Sequence, residues 1–151
     1  FWSDRLSAGF IVRIAASEKD FEDAMAIRHR VFVQEQSVSE IHENDGLDSN
    51  ALHVVALTSD HVIGTGRLVQ HTIKKGRIGR MAVDYVYRRQ GVGDLILAKL
   101  ENEARHLGLD TVFVHAQVYV ERFYETRGYV KDKDRFIEAG IQHQTMFKSL
   151  L

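Results

Sequence analysis

The chain has 151 residues, 44% of them apolar and 27% charged, with a formal net charge of −1. That is one domain able to bury roughly two-thirds of its unfolded surface, without the overall basic field that draws nucleic acid or an anionic membrane. It has no cysteine, which excludes disulfides, thiolate zinc sites and a cysteine nucleophile together, and no apolar run approaching a membrane span or secretory signal, so a cytoplasmic protein without membrane or nucleic-acid partners is expected.

Residues 1–9, "FWSDRLSAG", fit no element and read as a disordered tail or cloning remnant, leaving a single domain over 10–151. "FIVRIAA" (10–16) reads as a first strand. Ser17 followed by Asp20 resembles a capping box, and "DFEDAMAIRHRVFVQ" continues as a helix whose apolar face carries Phe21, Met25, Arg28 and Phe32. "SVSEIHENDGLDSN" (37–50) is a polar loop or short helix. "ALHVVALT" and "HVIGTGRLVQH" form a hairpin turning at Ser59-Asp60, and "GRIGRMAV" (76–83) is the next strand.

A strong helix spans 91–107, capped by Gly108, and "TVFVHAQV" (111–118) is a nearly continuous apolar run that reads as a buried strand. "VERFYETRG" is a short helix, and "YVKDKDRF" and "HQTMFKSLL" close the chain as strands. The order β-α-loop-β-β-β-α-β-α-β-β specifies a mixed α/β sheet.

The turn before the long helix, "YRRQGVG", carries more than a turn needs. Gly91 and Gly93 let successive N–H groups point into one concavity, the helix adds the positive end of its dipole, and Arg88 and Arg89 add full charges. That suits a phosphate or pyrophosphate. A G-x-G standing alone also serves as a plain entry turn with solvated arginines. A P-loop would need Gly-Lys-Ser/Thr where Asp94 and Leu95 follow Gly93, and a dinucleotide fingerprint would need a third glycine where Ile96 stands.

What does match is R-x-x-G-x-G between a strand and a helix (Arg88, Gly91, Gly93). It resembles the coenzyme A signature of the GNAT superfamily of N-acetyltransferases. "RMAVDYVYRRQGVGDLIL" is similar to the fourth strand, turn and third helix of that family, and "VERFYETRGY" to its F-Y-x-x-x-G-[FY] motif. The pattern "HAQ…FYE…GY…EAGIQH…M" looks most like the ElaA-type branch. The resemblance implies a mixed, mainly antiparallel sheet of six to seven strands with helices on both faces, splayed between the fourth and fifth strands.

It also implies acetyl-CoA as co-substrate and transfer to a primary amine of a small molecule or peptide. The backbone of Met81, Ala82 and Val83 would hold the pantetheine arm, with the Gln117 amide and Phe123 beside it. The N–H groups of Gln90, Gly91, Val92, Gly93 and Asp94 would hold the pyrophosphate, with Arg88 and Arg89 adding charge. The Val83 N–H would polarise the thioester carbonyl, and Tyr124 would be the general acid, its alternative reading being a core aromatic.

No glutamate stands on the fourth strand to act as base, which leaves Glu35, His53, His115 or a water chain. A histidine has a suitable unperturbed pKa for this, although one in "VFVHAQV" also fits as a satisfied core residue. Arg28 and Phe32 followed by Glu43, Asp45 and Asp48 are similar to acyl-homoserine-lactone synthases, where such acids tie a loop to the core. Arg28 is therefore expected to anchor Asp45 or Asp48, with the loop lining the amine site near Glu35 and Gln36. The acidity of that loop, Glu40 included, mildly favours a cationic amine. Eight histidines at scattered spacing indicate no metal. A coenzyme A sensor without catalysis, transfer of a longer acyl chain, and a homodimer are left open.

Overall fold

The computed structural model describes residues 9–151; the tail expected over 1–9 lies outside them except for Gly9. Strand β1 (Ile11–Ile14) is followed by helix α1 (Glu18–Arg28), which runs directly into a π-helical segment, His29–Glu35. A one-turn helix α2 (Glu40–Glu43) and a 3₁₀ turn (Asp48–Asn50) lead to β2 (Leu52–Thr58), β3 (His61–Gln70) and β4 (Lys75–Val83). Helix α3 (Val92–His106), β5 (Thr111–Gln117), the short helix α4 (Glu121–Glu125), β6 (Val130–Glu138) and β7 (Ile141–Ser149) complete the chain. Among the described residues no helix is long and apolar enough to cross a membrane.

The seven strands form one sheet in the order β1-β2-β3-β4-β5-β7-β6. Every neighbouring pair is antiparallel except β4 and β5, which run parallel. The fold is thus the expected mixed, mainly antiparallel sheet. Its two edges differ: β6 carries "VKDKDR" and breaks register between Asp132 and Phe136, and charge and irregularity of this kind discourage pairing with another chain.

One sheet face packs under α3, where Val92, Ile96, Leu97, Leu100 and Ala104 recur at helical spacing and are buried with Val54, Ile78, Val114 and Met146. The other face is covered by α1 and the π segment over β2–β4 only, through Ala24, Ile27 and Val31. Its β5–β7–β6 part lies open. The alternation of each strand decides which residues reach this open part: Phe113, His115 and Gln117 pair across to Phe147, Thr145 and His143, and Phe136 pairs with His143.

Local expectations hold where chemistry is local. The Ser17 hydroxyl accepts from the Asp20 N–H at 3.0 Å, and Ser59 and Asp60 both take positive φ, 49° and 64°, as a tight hairpin between right-twisted strands requires. The face expected of the first helix is corrected at Phe21, which is 37% exposed; Met25 and Phe32 pack partly buried against the core, and the fully buried stripe is Asp20, Ala24, Ile27, Arg28 and Val31. The wider π turn shifts the facing residues, with Gln36 N–H bonding back to Val31 O at 3.1 Å. It carries Glu35 and Gln36 over the sheet.

The acidic loop is tied down more heavily than expected. Arg28, 1% exposed, bonds Glu43 and Asp48 (2.9 and 2.7 Å), but not Asp45. Asp45 goes to Arg67 at 2.8 Å and Arg80 at 3.3 Å, Arg67 also reaches Asp48, and Arg80 also reaches Glu43. Three guanidiniums thus face three carboxylates beneath the loop. Burial opposes ionisation of Asp45, but the hydrogen bonds from Arg67 and the Leu47 N–H and the charges of Arg67 and Arg80 outweigh it and hold its pKa well below the usual range.

Candidate active site

Strands β4 and β5 pair over only three positions, Lys75 with Thr111, Gly76 with Val112 and Arg77 with Phe113. Beyond them the strands diverge, and a cleft of about 940 Å³ opens between the halves of the sheet. Its far wall is the turn after β4 and the start of α3; its near wall is the end of β5 with α4.

On the β4 side, Thr65 pairs with Ala82 and Arg67 with Gly79, so Gly66 alone opposes Arg80 and Met81. This is a β-bulge, with Arg80 at φ 50°. Arg80 is thereby turned to the acidic loop, while Met81 packs towards α3, where the Tyr124 hydroxyl lies 3.7 Å from its sulfur.

The turn adopts the backbone its glycines allow. Gly91 is the N-cap of α3 at φ 84°, and a Cβ there would meet nothing within 4 Å. Its need is for the left-handed conformation, and the space before it is open. No side chain caps the helix among the described residues, so the N–H groups of Val92, Gly93 and Asp94 lack the partners a cap would supply. Arg89 is exposed at φ 62°. Arg88 is committed elsewhere: its Nε donates to Val83 O at 2.8 Å and its Nη2 to Glu35 at 2.9 Å. Asp94 is clasped by Arg127, with Nη2 2.7 Å from Oδ2, and Arg127 also covers the Phe123 ring at 3.9 Å.

Met81, Ala82, Val83, Arg88, Arg89, Gly91, Val92, Gly93, Asp94, Gln117, Phe123, Tyr124, His115 and Glu35 all border this one cleft. Gln90 does not; its side chain turns back to Val86 O at 3.2 Å. His53 is corrected as a base candidate. It is buried under the loop, edge-on to Phe21 and bonded to Asp48 O at 2.9 Å.

Tyr124 is 9% exposed, wedged edge-on between Phe123 and Tyr129 at 5.1 and 5.4 Å. Burial pushes its phenol up to about 12, so it is a proton donor at any ordinary pH. The ring is part of the core, as the alternative reading has it, and the residue borders the cleft with its hydroxyl against the Met81 sulfur.

Opposite it, His115 Nδ1 lies 2.9 Å from Glu138 Oε2. The hydrogen bond with His115, aided by the nearby Arg77 charge, outweighs partial burial and lowers Glu138 to about 2. A carboxylate held ionised accepts, so Nδ1 is the donor in this bond and Nε2 is the ring nitrogen not engaged by Glu138. Gln117 Nε2 donates to Gln36 Oε1 at 2.8 Å, and Gln36 in turn reaches Tyr119, bridging the π segment to the end of β5.

Glu138, Arg127 and Tyr119 went unnoticed in the sequence. Only the β5–β7–β6 register brings Glu138 to His115, 23 residues away. A signal for Arg127 was available: it is the basic residue directly before the glycine of the second motif, and the first motif carries an acid, Asp94. Among the described residues no group of three or more His, Asp or Glu could hold a metal ion.

The family model described as "Acetyltransferase (GNAT) domain" matches residues 15–150. The uncharacterized N-acetyltransferase YjcF of Bacillus subtilis is 34% identical over 136 residues, covering 89% of this chain and 96% of its own. A crystal structure from Lactobacillus plantarum, of a protein assigned as an N-acetyltransferase, superposes with a TM-score of 0.87 at 30% identity over 94% of this chain and 99% of that one. ElaA of Escherichia coli is 25% identical over 131 residues, 84% of this chain and 86% of its own, and its crystal structure superposes with a TM-score of 0.82. With the turn, the splay and both motifs meeting in one cleft, the chain belongs to the GNAT acetyltransferase family.

Proposed function

We propose that the protein moves an acetyl group from acetyl-CoA directly to a primary amine of a small molecule or peptide. The observation that carries this reading is the meeting, in one cleft, of an uncapped helix N-terminus with a buried phenol held in its protonated form. The residues fit the co-substrate. The open N–H groups of α3 suit a pyrophosphate, and β4 past the seam suits the amide-bearing arm as an added strand would. Arg89 adds charge beside the turn. Arg88 braces the turn against the Val83 carbonyl, and Glu35, paired to it, orients that brace.

The chemistry divides between two walls. His115 Nε2 first takes a proton from the ammonium, Glu138 fixing the tautomer, and the lone pair so freed bonds to the thioester carbon. The C–S bond then breaks as the Tyr124 hydroxyl protonates the departing thiolate, and the second proton of the nitrogen is lost to water, from which the Tyr124 oxygen is reprotonated. No cysteine exists to carry an acyl-enzyme. A chain free of cysteine also suits the reducing cytoplasm, where we place it.

Replacing Tyr124 by Phe removes one hydroxyl and leaves the ring packing intact. Turnover is expected to fall by roughly 10²–10⁴, the span usual for a positioned acid, with acetyl-CoA affinity and melting temperature nearly unchanged. An unchanged rate where chemistry limits turnover removes the acid assignment. Absence of any acetyl-CoA-induced rise in melting temperature at millimolar concentration removes the co-substrate. Binding without turnover on a broad amine panel favours a sensor.

A further inference from the structure

Where β4 and β5 part, Arg77 stands on the open face of the sheet beside the His115–Glu138 pair. Its Nη2 donates to Glu138 Oε1 at 3.3 Å while His115 takes Oε2. That is the only hydrogen bond of this guanidinium among the described residues, and its Nε is closed off with no partner at all. A five-donor fork retained for one long bond is more than the fold requires.

The strand also leaves room beside it. Gly79 lies two positions along, on the same face, and a Cβ there would meet nothing nearer than Arg77 Nε at 3.8 Å. A side chain would fit; its absence leaves a hollow floored by glycine against a guanidinium.

Charge decides what the hollow accepts. Arg77, His115 and His143 surround one carboxylate, Glu138, which Arg77 and His115 already hold. The acidic loop, which made a cationic acceptor attractive from sequence, has Glu43, Asp45 and Asp48 neutralised by Arg28, Arg67 and Arg80. Among the described residues this half of the cleft therefore holds no unpaired carboxylate to attract a cation, while Arg77, sharing Glu138 with His115, keeps guanidinium donors without a partner. We infer that the acceptor is an amino acid, its amine presented to His115 and its carboxylate bound by Arg77. The inference rests on the acetyl-transfer reading for the identity of the nucleophile, and on the cleft alone for the carboxylate.

The test separates the two. Each standard L-amino acid and its carboxamide is titrated into the protein saturated with coenzyme A, and the same compounds are assayed for acetyl transfer. At least one acid is expected to bind about 10- to 100-fold tighter than its amide, as one charge-assisted hydrogen bond provides. Arg77→Gln should erase that difference through KM, with coenzyme A affinity unaltered and a smaller fall in kcat, since Glu138 loses one of its two partners; Arg77→Lys should keep part of the difference. Equal affinity for acids and amides, no binding of any acid, or equal turnover of polyamines overturns the inference. A carboxylate preference that depends on Arg77 without acetyl transfer supports the carboxylate site and removes the transferase reading.

Discussion

Asp94, in the first turn of α3, is clasped by Arg127 from the loop after α4, so the two sequence motifs are joined by an ion pair at the mouth of the cleft. A carboxylate at this position would repel a phosphate were it free; paired, it contributes little field. Arg127 gains proton affinity from the same contact. Asp94→Asn leaves the Arg127 charge uncompensated beside the turn. Coenzyme A affinity is expected to rise severalfold, most at low salt, with a small loss of melting temperature, measured by calorimetry at two ionic strengths. A fall in affinity would mean that Asp94 positions the turn rather than taxing it.

The raised phenol of Tyr124 predicts a pH behaviour. Its folded pKa, about 12, lies above the unfolded value near 10. The stability this lends is fully present below pH ~10 and is lost as pH rises through about 12. The acid also stays protonated across the working range. The wild-type kcat profile should therefore show no descending limb from this group below pH ~11, and Tyr124→Phe should unfold less steeply in strong base.

Glu138 has the opposite sign. Its pKa is lowered to about 2, so its contribution is present above the unfolded carboxylate pKa near 4.3 and is lost as pH falls from there towards 2. Glu138→Gln should flatten acid denaturation in that window. It also frees the His115 tautomer, and kcat/KM is expected to drop about 10- to 1,000-fold at pH 7 with coenzyme A binding intact. Activity equal to wild type would place the base elsewhere.

The loop network predicts a purely structural failure. Arg28→Ala leaves two guanidiniums facing three carboxylates beside a cavity in a buried setting, a loss of about 3–5 kcal/mol. For a domain of this size that is a fall of roughly 6–20 °C in melting temperature. Replacing Arg28 by Lys should recover only part, since the two bonds to Glu43 use a planar fork.

The legible parts of the molecule were those encoded within a few residues. The Ser17 cap, the Ser59-Asp60 turn, the Gly91 turn and the α3 stripe each need only local sterics or a 3.6-residue period. The divergence of β4 from β5 followed from the family resemblance and not from the strands themselves. The π segment escaped because one extra residue per turn leaves composition unchanged. The bulge at Arg80 escaped because nothing in "GRIGRMAV" marks the slip; its opposing Gly66 does so only once the register is known. Glu138 and Arg77 escaped for the same reason: strand neighbours are set by pairing, and the charges that mattered stood on three different strands.

The seam between the two halves of the sheet amounts to three residue pairs at one end. The halves meet as leaves along a short spine: each keeps its own ladder, β1 to β4 and β5 to β6, and beyond the spine they share the core beneath α3. A molecule lying along β4 bridges the leaves opposite the spine. Amide exchange should therefore register occupancy as a slowing shared by β4 and β5 beyond residues 77 and 113, where neither strand has the other to bond.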